Sequence, residues 1–91
     1  MQTNIISVKY EDNFEKKTFS GKAYSYYTAI PVKVGDLVIA PTAFVEKIAR
    51  VSTIDIPEEQ VESIKPYLKT VEREIDKEKY LQTGEIVEKA A

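Results

Sequence analysis

Apolar and polar residues alternate along the first half of the chain, and the alternation stops at turn-forming residues. Ile6, Val8 and Tyr10 alternate with Ser7 and Lys9, which is the pattern of a half-buried strand. Glu11-Asp12-Asn13 is turn chemistry. Phe14 to Phe19 reads either as a continued hairpin or as a structured loop, and Ser20-Gly21 makes a second turn. Residues 22–29 form a second strand, with Tyr24, Tyr26 and Thr28 on one face and Ala23, Ser25 and Tyr27 on the other. Pro31 ends it, because proline has no N–H to give to a ladder. Gly35-Asp36 is a tight turn into a third strand over 36–40, with Leu37 and Ile39 facing one way and Asp36, Val38 and Ala40 the other. Pro41 to Phe44 is a hairpin loop. Residues 45–55 form a longer fourth strand, with Ile48 and Arg50 on one face and Ala49 and Val51 on the other. Its alternation is imperfect, and a bulge or strong coil accounts for that. These runs predict a small curled sheet with Val8, Leu37, Ile39 and Ile48 in its core.

Beyond Pro57 the pattern supports two readings. Pro57-Glu58-Glu59-Gln60 is a good first helical turn, with proline at the start and acids at the positive end. Val61, Ile64, Leu68, Val71 and Ile75 then follow at spacings of three and four, a heptad seam that packs on the sheet or on a second copy of the chain. Pro66 stands in the middle of that seam and breaks or kinks a helix there. In the other reading a short helix or extended arm runs to about Lys65, and a strand runs from Leu68 to Ile75. Asp76 then caps a last helix from Lys77, anchored by Tyr80 and Leu81. Gly84 interrupts it and the tail to Ala91 frays. The organisation is one domain: a β core over residues 1–56 and an acidic C-terminal arm over 57–91.

Ninety-one residues suffice for one thin-cored domain. The chain has no Cys and no His. Disulfides, Cys/His zinc sites and the usual neutral-pH general base are therefore excluded. A metal site would have to be made of carboxylates alone, which suits Mg²⁺ or Ca²⁺. Met1 to Ser7 has neither a basic nor an apolar signal region, and no apolar run approaches the length of a membrane helix, so a cytoplasmic location without membrane contact is expected. The net charge is -2. Residues 1–56 carry seven Lys/Arg against six Asp/Glu, and residues 57–91 carry six against nine. Neither half has the basic footprint of a duplex DNA binder.

The pieces Gly21-Lys22-x-Tyr24-x-Tyr26-x-Thr28, then Val32-Lys33-Val34-Gly35-Asp36-Leu37-Val38-x-x-Pro41-Thr42, then Ile48-Ala49-Arg50-Val51, occur in that order. This pattern resembles a group of small phage and prophage proteins with an SH3-like β-barrel. More faintly, it is similar to the N-terminal DNA-binding domain of the primosomal helicase. The resemblance covers roughly residues 5–76. It implies an α+β fold: a small SH3-like antiparallel β-barrel with a C-terminal helical or helix–strand–helix arm. It also implies a last strand over Val71 to Asp76, and host cytoplasm as the location if the protein is phage-encoded. It carries over no functional residue. The longer, acidic C-terminal third departs from the group.

Three constellations could bear function. Lys22, Tyr24, Tyr26, Tyr27, Lys47 and Arg50 form a candidate binding surface, because aromatics interleaved with bases are how small barrels hold single strands. In the competing reading Tyr24 and Tyr26 are core residues with a hydroxyl at the rim. Tyr27, opposite to them, is then the tyrosine expected to be most exposed. Val61, Ile64, Leu68, Val71 and Ile75 form a candidate oligomer seam. Glu58, Glu59, Glu62, Glu72, Glu74, Asp76 and Glu78 are interspersed with Lys65, Lys69, Arg73, Lys77 and Lys79, which is the composition of a solvated face. No catalytic residue, metal ligand or cofactor is assigned, and the chain is not read as an enzyme. The expected function is a non-catalytic interaction protein that binds a host or phage protein, acting as an inhibitor of it. A single-stranded nucleic-acid accessory and a small-molecule binder at a homo-oligomer interface are the alternatives. Basic residues clustered around exposed tyrosines favour nucleic acid. Dispersed bases and buried tyrosines favour protein.

Overall fold

The β-branched and aromatic runs become four strands in a computed structural model, which describes residues 3–89. These are β1 (Ile5–Tyr10), β2 (Ala23–Thr28), β3 (Leu37–Pro41) and β4 (Glu46–Thr53). β1 pairs antiparallel with both β2 and β4, and β3 pairs antiparallel with β4. Two short strands, β5 (Thr70–Val71) and β6 (Arg73–Glu74), take the edges. The order is β5-β2-β1-β4-β3-β6, with β5 parallel to β2 and β6 antiparallel to β3.

Only Glu72 separates β5 from β6, yet they lie at opposite edges of the sheet. The sheet therefore curls until residues 70–74 can bridge its two sides. The closed antiparallel barrel that was expected is not formed. The bridge offers just two residues to each side, β2 and β3 share no ladder, and the sheet remains open and mixed. The fold is mostly β, with one short helix among the described residues, α1 (Lys77–Thr83).

The expected irregularity in the fourth strand is a register shift against β1. Ser7 pairs with Thr53 and Val8 with Val51, so Ser52 is the extra residue. Its hydroxyl lies 2.7 Å from that of Ser7, which satisfies both at the kink.

Three clusters of buried side chains hold the fold. Ile6, Val8, Tyr26, Val38, Ala40, Ala49 and Val51 come from one face of the four long strands and pack with Val71 inside the curl. Leu37 and Ile39 face the other way and pack with Phe19, Ile75 and Tyr80, with Ile48 half-buried beside them. Ile5, Ile56 and Val61 form the third cluster, flanked by Tyr27 and Leu68. β3 is thus covered on both faces, and the core residues expected from alternation divide between two layers.

The C-terminal arm follows the reading in which Pro66 breaks the helix. Residues Glu58–Val61 and Lys65–Tyr67 make two 3-10 turns, and the strand pieces follow. Asp76 caps α1 by accepting from the Lys79 amide at 3.0 Å. Gly84, at φ 76°, ends it, and its amide donates to Tyr80 O at 2.8 Å. The tail does not fray as far as Lys89. Asp76 N donates to Val87 O at 2.7 Å and Lys89 N to Glu74 O at 2.8 Å. Ala90 and Ala91 lie outside the described residues.

The heptad seam is not one stripe. Val61 and Leu68 belong to the third cluster, Val71 to the first and Ile75 to the second, while Ile64 is exposed. Breaking the helix at Pro66 distributes these side chains over three clusters and leaves Ile64 in solvent. Among the described residues, no helix is long and apolar enough to cross a membrane.

Candidate functional site

β1 and β3 end, and β2 and β4 begin, at the same end of the sheet. Val8 pairs with Tyr24, so Tyr10 lies diagonally across from Tyr24 on the same face. The two rings stack with centroids 4.8 Å apart and planes 22° apart. Lys47 lies on that face of β4, two residues from Ala49, which pairs with Tyr10. Its Nζ sits 5.1 Å from the Tyr10 ring centroid. On the other side, Lys22 Nζ lies 6.0 Å from the Tyr24 centroid. A stacked tyrosine pair between two lysines results, at distances where the ring faces attract a cation.

Tyr26 supports this pair from below. It is buried, and its hydroxyl donates to Pro41 O at 2.8 Å. Having spent its one proton there, it accepts from the Tyr10 hydroxyl at 2.5 Å. Burial first, and the Tyr10 hydroxyl second, push the Tyr26 hydroxyl well above the usual tyrosine range. The chain Tyr10–Tyr26–Pro41 fixes the angle of the Tyr10 ring and anchors the end of β3.

From Pro41 the chain turns through residues 42–45. Thr42 pins this turn twice: its amide donates to Val45 O at 2.9 Å, and its hydroxyl accepts from Val45 N at 3.2 Å. Phe44, at the tip, is 95 % exposed, and Val45 next to it is 56 % exposed. At the base, Glu46 is held in an ion pair with Arg73 of β6.

The six residues of the expected binding surface divide accordingly. Lys22, Tyr24 and Lys47 come together around Tyr10, with Tyr26 beneath. Arg50 faces the opposite way, with its guanidinium 5.6 Å from the Phe19 ring centroid. Tyr27 is not the exposed tyrosine; it is half-buried beside Ile5, Ile56 and Val61. The arm covers it, because the 3-10 turn carrying Val61 folds back on that face. Tyr67, in the arm, is the most exposed tyrosine, and among those of the strands it is Tyr24, at the start of β2. Tyr10 and Phe44 were not expected at the site. An aromatic residue in a Pro-Thr-Ala-Phe hairpin loop is a local sign for the second. Only the β1–β2 register reveals the first.

Four carboxylates of the arm are paired: Glu58 with Lys65 at 3.1 Å, Glu74 with Lys89 at 3.4 Å, Glu85 with Lys79 at 3.4 Å and Glu88 with Arg73 at 3.7 Å. Among the described residues, no three of them converge as a metal site would need. Comparisons of the chain with protein-family models, with curated proteins and with solved structures give no match.

Proposed function

We propose that this chain is a non-catalytic interaction module that binds another protein through the end of its curled sheet. The observation that carries this is Phe44. An aromatic side chain on a pinned turn, almost wholly in water, contributes nothing to its own fold and offers a preformed anchor for a partner's pocket. Val45 and Tyr24 widen the apolar contact, and Lys22 and Lys47 put positive charge at its rim. The partner chemistry that fits is a protein surface with an apolar pocket flanked by acids. The sequence resemblance makes a host or phage protein the partner, with inhibition as the consequence of covering its surface. The strand order, and the bridge of residues 70–74 across the curl, support an SH3-like reading of the scaffold, open rather than closed.

The stacked Tyr10–Tyr24 pair between lysines supports a second reading, single-stranded nucleic-acid binding. Of the five bases on the sheet half that this reading uses, only Lys22 and Lys47 adjoin the exposed tyrosine. Lys9 and Arg50 alternate onto the other face, and Lys33 lies in the loop before β3. Dispersed bases favour the protein reading.

Tagged wild-type protein and the Phe44→Ala/Tyr24→Ala variant, used side by side on lysate of the natural host, test it. One protein retained by wild type and lost with the variant is expected. Reconstituting that pair from purified components should give a complex that Phe44→Ala weakens at least about tenfold. Equal retention by wild type and variant would remove this face from the proposal. Selective retention of nucleic acid would promote the second reading.

A further inference from the structure

On the opposite face, between β3, β4 and α1, lies a groove of about 450 Å³. Lys17 from the β1–β2 loop, Arg50 from β4 and Lys77 from the first position of α1 line it. Among the described residues, no acidic side chain does. That is unexpected in a chain with 15 acids and 13 bases. Lys65, Arg73, Lys79 and Lys89 of the arm pair with carboxylates, whereas Lys17, Arg50 and Lys77 have no carboxylate within ion-pair distance among the described residues.

The nearby acids are committed elsewhere. Both oxygens of Glu11 accept from the Tyr80 hydroxyl, Asp12 accepts from Thr18 and Ser20, and Asp36 accepts from the Lys33 amide at 2.8 Å. Three like charges around one concavity repel each other, and an anion between them relieves that repulsion. The Arg50 guanidinium lies over the buried Phe19 ring, 5.6 Å from the centroid, a cation–π contact at the groove. Lys77 Nζ lies beside Gly35: a Cβ at position 35 would stand 3.4 Å from it. Lys17 Nζ gives one proton to Phe14 O at 2.6 Å and has two more to donate. The groove is not polar throughout. Phe19 lies at its floor, and Val34 and Leu81 are exposed at its edge.

We infer that this groove binds a small organic anion, a phosphate monoester on an aromatic or apolar body. The phosphate is held by Arg50, Lys77 and Lys17, and the body lies against Phe19, Leu81 and Val34. The site is on the face opposite Tyr24 and is independent of the Phe44 surface. A mononucleotide has this chemistry and fits the volume.

Titration of the isotope-labelled full chain with adenosine monophosphate, followed by amide NMR, tests this. Saturable shifts are expected at Gly35, Ser52 and Lys77. Arg50→Gln and Lys77→Gln should each weaken binding about tenfold, the loss of one charge-assisted contact. Lys69→Gln, a remote exposed base, and Phe44→Ala should leave it unchanged. Lys77 is exposed, so Lys77→Gln keeps the test valid even if Arg50→Gln disturbs packing on Phe19. Adenosine should bind far more weakly, and so should inorganic phosphate. Equal binding of adenosine would show that the charges play no part. Equal binding of inorganic phosphate would show that the apolar edge plays none. Either result overturns the proposal, as would no shift at millimolar nucleotide, or an oligonucleotide that occupies the groove more tightly than the mononucleotide.

Discussion

The hydroxyl of Tyr80 reaches both carboxylate oxygens of Glu11, at 2.6 and 2.7 Å, across 69 positions of sequence. This contact ties α1 to the residue just past β1. The Tyr80 ring is fully buried among Phe19, Leu37, Ile39 and Ile75, so one side chain both fills the second core layer and fixes the helix to the sheet. The two roles are separable. Tyr80→Phe keeps the ring and removes the hydrogen bond, with an expected loss of about 1–2 kcal/mol, because Glu11 is half-exposed and regains water. Tyr80→Ala also leaves a cavity, and a loss of about 3–5 kcal/mol should leave little of a domain this small folded. Urea denaturation of the two variants measures both. Equal losses would mean that the hydroxyl, and not the ring, holds the helix.

Alkaline pH should destabilise the protein through two tyrosines. Burial, and then the Glu11 carboxylate, raise the Tyr80 hydroxyl above its ordinary value of 10.0; burial, and then Tyr10, do the same to Tyr26. The unfolded chain releases these protons near pH 10 while the folded chain retains them. Their contribution is therefore fully present below about pH 10 and declines as pH rises through and beyond that value. Urea midpoints should be level between about pH 8 and 9.5 and fall at about pH 11. Tyr80→Phe should flatten the fall, and an unchanged slope in that variant would refute the assignment.

Two glycines should respond differently to alanine. Gly84 ends α1 at φ 76°, a conformation that costs a side-chain-bearing residue about 1–2 kcal/mol. Phe14 Cζ, 3.5 Å from the position of its Cβ, is an ordinary contact, so the cost lies in the backbone. Gly21 has no atom within 4 Å of that position and no positive φ, so Gly21→Ala should change stability by no more than about 0.5 kcal/mol. Thermal melts of the two variants check the contrast.

These contacts mark where the sequence could and could not be read. The four long strands and the Pro57 boundary were legible because each rests on a local signal, alternation or a missing N–H; the Pro66 break and the Asp76-capped helix stood as one of two readings, because the heptad spacing competed with them. That the curled sheet stays open was not legible. It depends on residues 70–74 pairing only two residues on each side, which alternation does not measure. The burial of both faces of β3 was missed for a similar reason. Val38 and Ala40 alternate with Leu37 and Ile39 whether one face is wet or neither is. Tyr24 and Tyr27 exchanged roles because exposure of β2 depends on where the arm returns. The basic groove assembles Lys17, Arg50 and Lys77 from three separate parts of the chain, and no local pattern connects them.

Nucleic acid binding at the tyrosine face is expected to be weak. A single-strand site needs a basic track and successive exposed rings. Here Tyr26 is buried under Tyr10, and Tyr27 under the arm, which leaves Tyr24 and the outer face of its stack. Two lysines flank that stack, so about two phosphates would be neutralised and the salt slope should be shallow. An exposed aromatic contributes about 1–3 kcal/mol per stacked base, and one such platform does not give tight binding. Oligonucleotide affinity should therefore be no tighter than about micromolar at physiological salt. Tyr24→Ala should remove whatever binding there is, and Tyr27→Ala should act on stability instead. Anisotropy titrations of a labelled single strand at two salt concentrations decide it. Nanomolar affinity that collapses with salt and depends on Tyr24 and Lys47 would make nucleic acid, and not a protein, the ligand of this face.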